Sequence, residues 1–201
     1  MLQKNKSVNE SELNISGDNS GVAVGINNGT INYLYSENYS KMPSLIANIV
    51  KAMADFDVGT MDTEITVGAT FKPDEKIDYN CVIKYKDIIK DYSTYFYQCE
   101  ETINIFDDSN IGSKSKILSC VKMWYLKAKG ELLKKTKDIF PSEIDAIKAY
   151  SDDLIDCVLN KISSVAIEYA GESTNVEEVE LGALCFTCYC FMECKILEKP
   201  Q

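Results

Sequence analysis

Asn175-Val-Glu-Glu-Val-Glu-Leu-Gly-Ala-Leu-Cys-Phe-Thr-Cys-Tyr-Cys-Phe-Met-Glu-Cys-Lys-Ile-Leu197 is the stretch on which the fold turns. Asn175 is placed to cap a helix, and Glu177 and Glu178 follow where the positive helix start favours carboxylates. From Leu181 to Leu197 apolar side chains occupy nearly every angle of the helical wheel. A surface helix shows one apolar stripe, so this pattern places the last helix at the centre of a bundle, surrounded by others.

Working back along the chain, the other segments supply one-sided helices to surround it. Pro141-Ser142 opens a helix whose face carries Ile144, Ile147, Leu154, Ile155, Val158, Ile162, Val165 and Tyr169, ending at Gly171. A helix from about Ser113 to Lys137 sets Ile117, Val121, Trp124, Ala128 and Leu132 on one stripe. Upstream, Pro73-Asp74 starts a long helix that the periodicity carries to about Phe106, through Ile77, Cys81, Tyr85, Ile88, Ile89, Tyr92, Phe96, Cys99 and Ile103. Ser40 is the expected cap of a first helix with Leu45, Ile46, Ile49, Val50 and Met53, with Pro43 in its first turn and an end near Asp57-Val58-Gly59. Between these two, Thr60 to Lys72 reads as a strand or extended loop. The fold class is therefore mainly α, a bundle of about five helices over residues 38–201, preceded by a short N-terminal β segment.

That β segment covers residues 15–36, after an aperiodic polar arm, residues 1–14, that reads as disordered. It alternates Val22, Val24 and Ile26 with small residues, then turns at Asn28-Gly29 before Ile31. A hairpin of this length is marginal in water, so it is expected to dock on the main domain or to pair with another copy. Val22, Val24, Ile26 and Ile31 are the candidate oligomerisation residues. Gly17, Gly21 and Gly25 lack the following Gly-Lys-Ser/Thr of a phosphate loop and read as turn glycines.

Composition narrows the chemistry. The 201 residues include 21 basic side chains, all lysine, and no histidine. Without imidazole there is no Ser-His-Asp or Cys-His relay and no His-ligated metal, and without guanidinium there is no bidentate phosphate clamp or arginine finger. The expectation is a non-enzyme with no cofactor and no metal. A net charge of -10 repels nucleic acid and anionic membranes, so nucleic-acid binding is not expected. The longest nearly uncharged apolar run, Leu181 to Met192, is 12 residues, and the N-terminus has no signal-peptide core. A span needs about 20. The cytoplasm is the expected location, with the eight cysteines as reduced thiols.

Four of those cysteines, Cys185, Cys188, Cys190 and Cys194, invite a metal reading. At about 100° per residue Cys185 and Cys188 lie near 0° and 300°, but Cys190 and Cys194 near 140° and 180°, so one helix cannot aim all four at one ion. Packing is the better account. Cys185-Phe-Thr-Cys188 lies inside a helix, away from the helix start that a thioredoxin-like motif needs, and Ser113-Lys-Ser-Lys116 lacks companion motifs. Asp145, Asp152, Asp153 and Asp156, like Lys84, Lys86 and Lys90, read as solvated helix faces. Asp91-Tyr-Ser-Thr-Tyr-Phe-Tyr97 carries too many rings for one core, which makes Tyr95 and Tyr97 the candidate partner-binding residues.

Phe71-Lys-Pro-Asp-Glu-Lys-Ile-Asp-Tyr-Asn80 and Cys194-Lys-Ile-Leu-Glu-Lys-Pro200, with Ser16-Gly-Asp-Asn-Ser-Gly-Val-Ala-Val-Gly25 upstream, resemble the C-terminal domains of bacterial ABC-three component systems over about residues 15–200. The resemblance implies a part in antiphage defence, where an ABC-type ATPase, a middle component and an effector act together and the helical domain tethers the effector. No nuclease or protease domain precedes the glycine-rich segment, so a free-standing component, a regulator and a fragment all stay open, and no catalytic residue carries over. The expected function is a non-enzymatic tethering module that binds the ATPase or middle component and self-associates through its β segment. The alternatives are a small-ligand sensor or enzyme with a site between helices, or a phage or plasmid protein that inhibits such a system.

Overall fold

The central helix is where the sequence places it. In a computed structural model that describes residues 44–54, 72–169 and 174–200, the chain forms eight helices and no strand among those residues. They are α1 (Leu45–Ala54), α2 (Pro73–Tyr79), α3 (Lys86–Ser93), α4 (Phe96–Ser109), α5 (Ser113–Thr136), α6 (Glu143–Ala149), α7 (Ser151–Tyr169) and α8 (Val176–Met192). The arm and β segment, with Val22, Val24, Ile26 and Ile31, the stretch 60–71 and Gly171 lie outside the described residues.

α8 packs against α1, α3, α4 and α7, which is why it is apolar all round. Phe186, Tyr189, Cys190 and Phe191 are each no more than 2% exposed, and at about 1.5–3 kcal/mol per fully buried large side chain this helix dominates the core. Its start is a capping box: the side chain of Asn175 accepts from the N3 backbone, and Glu178 accepts from the Asn175 backbone N–H at 3.1 Å. Gly182 lets α1 approach closely, since a Cβ there would overlap the carbonyl oxygen of Val50.

Eight helices replace the expected five because two long periodic stretches are broken without a change of period. The expected helix from Pro73 to Phe106 is α2, α3 and α4. The first break is a Schellman turn: Cys81 takes a left-handed φ of 55°, its N–H donates to Asp78 O at 3.2 Å, and Val82 N–H donates to Ile77 O at 3.1 Å. Sequence reasoning looks for glycine at such a position, and here cysteine occupies it. The second break is milder: the hydroxyls of Ser93 and Thr94 donate to Lys90 O and Asp91 O, each at 2.7 Å, competing with the helix ladder. Likewise the helix opened by Ser142, whose hydroxyl accepts from Asp145 N–H at 3.3 Å, divides at Tyr150 into α6 and α7. α1 begins at Leu45, and the Ser44 hydroxyl accepts from Ala47 N–H at 3.2 Å; Ser40, Pro43 and the expected end at Asp57-Val58-Gly59 lie outside the described residues.

The C-terminal residues end α8 with a second Schellman turn. Cys194 has a φ of 54°, its N–H donates to Phe191 O at 3.1 Å, and Lys195 N–H donates to Cys190 O at 2.9 Å. The chain then folds back as a bent hook, residues 194–200, with a second left-handed residue at Leu197 (φ 61°), against the end of α2. The helix expected to reach Leu197 thus stops at Met192.

Candidate interaction surface

The hook is held by two side chains, Lys76 of α2 and its C-cap Asn80. Lys76, 1% exposed, donates from Nζ to Ile196 O at 2.7 Å and to Phe191 O, and its ammonium lies 4.2 Å from the centre of the Phe191 ring. Burial lowers its pKa to about 8, only partly offset by the neighbouring Cys194. Asn80, fully buried, donates from Nδ2 to Glu198 O at 2.9 Å and accepts at Oδ1 from Glu198 N–H at 3.0 Å, as a strand backbone would. Three hydrogen bonds therefore clasp the end of α2 to the hook, and a fourth ties it to the end of α8.

The hook forms one wall of a groove of about 680 Å³ that α5 and α6 complete. Lys122, Lys129, Lys148, Lys195 and Lys199 line it, against two carboxylates, Glu143 and Glu198. Glu198 accepts from Tyr125 Oη at 2.8 Å and Lys129 Nζ at 2.7 Å. Burial works to raise its pKa, but these hydrogen bonds outweigh it and hold the carboxyl below its usual value. Lys148 Nζ lies 4.9 Å from the centre of the Tyr79 ring. A second, shallower groove of about 390 Å³ shares Lys122 and Lys195 with the first. Beside it the α5 face carries Met123 and Leu126, 45% and 50% exposed.

Tyr97 is exposed at the start of α4, edge-on to Phe96 with ring centres 5.9 Å apart. Tyr95 is half-buried and packs on the core, 6.0 Å from the Tyr92 ring, so the two candidate tyrosines do not form one patch. Cys185, Cys188, Cys190 and Cys194 are buried, and Cys185 Sγ lies 3.2 Å from Cys99 Sγ on α4. Burial raises the thiol pKa values of Cys188 and Cys190. Among the described residues no cluster of three or more His, Cys, Asp or Glu side chains could hold a metal ion, and no helix is long and apolar enough to cross a membrane.

The carboxylates of α7 do more than face solvent. Asp152 accepts from the N–H groups of Ile83 and Lys84 at 3.2 and 3.0 Å, and Asp156 accepts from Lys84 Nζ at 2.7 Å and from Tyr85 Oη. Lys86 and Lys90 pair with Asp78 and Asp74 at 3.7 and 2.7 Å. These faces are solvated as read, and Asp152 and Asp156 in addition tie the α2–α3 connection down, which the sequence could not show because the partners lie up to 72 residues apart. The lysine groove was missed for the same reason, its lysines being spread over 78 residues of chain.

Comparison with known proteins finds no matching family model, no matching curated protein and no matching solved structure. The resemblance to ABC-three component domains therefore rests on the quoted motifs alone.

Proposed function

We propose that this chain is a non-enzymatic helical interaction module, tethering protein partners in a bacterial antiphage system of the ABC-three component kind. The observation that carries the reading is the clasp. The two segments on which the resemblance rests, Phe71–Asn80 and Cys194–Pro200, are far apart in sequence, yet Lys76 and Asn80 of the first hold Ile196 and Glu198 of the second. Their motif residues thus serve one structural purpose, fixing a platform whose edge is the lysine groove. Close-packed helical cores make rigid scaffolds, and the exposed Tyr97, Met123 and Leu126 supply apolar contact area of the kind interfaces bury.

The partner would be the ATPase or the middle component. Co-expression with each such protein encoded beside this chain, followed by size-exclusion chromatography with light scattering, is expected to give a stable complex. Elution of this chain alone in every combination, with and without nucleotide, overturns the reading. Self-association through the β segment is tested on the full chain by placing aspartate at Val22, Val24, Ile26 and Ile31 together; mass photometry is expected to show the oligomer lost.

The groove volume favours a second reading, a small-ligand sensor or an enzyme, because it falls within the range of about 300–1,000 Å³ common to small-molecule sites. A metabolite that raises the melting temperature and is turned over would replace the tethering role.

A further inference from the structure

We infer that the lysine-lined track along α5 is the docking site for a short, extended acidic segment of a partner protein carrying an apolar anchor. This rests on the interaction-module reading and adds which surface and which chemistry. The two grooves are continuous through Lys122 and Lys195. From Ser115 to Lys129 the track runs along 15 residues of helix, about 21 Å, the reach of roughly six extended residues.

Charge selects the occupant. In a chain of net charge -10, the two grooves gather six lysines against three carboxylates, of which Asp107 already accepts from the Lys114 N–H and Glu198 from Lys129 and Tyr125. Lys122, Lys195 and Lys199 have no carboxylate partner among the described residues. By contrast Lys84, Lys86, Lys90 and Lys114 do pair with carboxylates, at 2.7, 3.7, 2.7 and 2.9 Å. Carboxylates on the occupant would complete the pairs that the chain itself leaves open.

A protein segment fits better than a nucleic acid. Single strands are gripped by stacking bases on open aromatic faces. Here Tyr125 is 3% exposed and the Tyr79 ring has Lys148 over it, whereas the exposed apolar residues at the track's edge are the aliphatic Met123 and Leu126. Away from the track the chain's negative charge repels a long polyanion, while a segment of a few acidic residues need not extend past the lysines.

The test uses the full chain and a short fluorescein-labelled peptide alternating glutamate and leucine, read by fluorescence anisotropy. Controls are the glutamine version of the peptide and a thymidine oligonucleotide of equal charge. The acidic peptide is expected to bind, the glutamine version to bind at least about tenfold more weakly, and the Lys122→Glu/Lys195→Glu protein to lose about tenfold or more in affinity. Lys122→Gln/Lys195→Gln should give a smaller loss, and Lys134→Glu/Lys137→Glu, outside the track, none. No peptide binding, binding unaffected by Lys122→Glu/Lys195→Glu, or tighter binding of the oligonucleotide overturns the inference. A co-purifying ATPase or middle component retained by Lys122→Glu/Lys195→Glu would sink this docking site while leaving the module reading intact.

Discussion

Lys76 Nζ lies 2.7 Å from the carbonyl oxygen of Ile196, 120 residues further along the chain, and no carboxylate pairs with it among the described residues. The ammonium instead sits at the C-terminal end of α8, where the last carbonyls and the helix dipole offer negative partial charge. A buried cation satisfied only by carbonyls is sensitive to proton supply, and that sets the first prediction.

Burial lowers the Lys76 pKa from 10.5 to about 8, so between these values the unfolded chain binds more protons than the folded one. Stability contributed by this site therefore rises with pH across that window, by about 2 kcal/mol from pH 8 to 10. Cysteines and tyrosines with raised pKa values work in the opposite sense, so the comparison is differential. The stability gap between wild type and Lys76→Met, from urea unfolding at several pH values, is expected to shift in favour of wild type by that amount. A gap constant with pH would show that Lys76 does not titrate in this window.

Gly182 and Gly130 are both helical, and their replacement should act in opposite directions. Gly182→Ala drives a Cβ into the Val50 carbonyl and forces α1 off α8. The expected loss is about 1–3 kcal/mol or more. Gly130 on α5 faces open space, and Gly130→Ala is expected to stabilise by about 0.5–1 kcal/mol. Thermal unfolding of the two variants checks both signs.

The α7 carboxylates are distinguished by what they hold. Asp152→Ala frees the Ile83 and Lys84 N–H groups and should cost about 1 kcal/mol, as loss of a helix cap does. Asp153, exposed one residue on, should cost no more than a few tenths of a kcal/mol when replaced by alanine. Equal effects of the two would remove the tie between α7 and the α2–α3 connection.

Thiol reactivity should follow burial. Cys81 and Cys157 are exposed, whereas Cys99, Cys185, Cys188, Cys190 and Cys194 are buried. Titration of the native protein with a chromogenic disulfide is expected to show these two exposed thiols reacting fast and the five buried ones only after unfolding. Fast reaction of any of the five would mean that the α8 packing opens readily.

The sequence by itself determined that the described chain is helical, which helix is central, and where α5 and α8 start, because periodicity and caps are local properties. Asn175, Glu178 and Ser142 announce their helices from within a few residues. It also determined that Cys185 and Cys188 point away from Cys190 and Cys194, since that follows from the helical pitch. The tertiary structure alone decided that two long helices are broken into five; the first of these breaks comes where Cys81 takes a left-handed turn for which its sequence carries no glycine. That turn is fixed by Asn80 and Lys76 gripping a hook more than 100 residues away, and its left-handed φ costs about 1–2 kcal/mol that such contacts offset. It alone brought Lys122, Lys148 and Lys195 to one track, for charge is read along a chain but a surface is assembled across it.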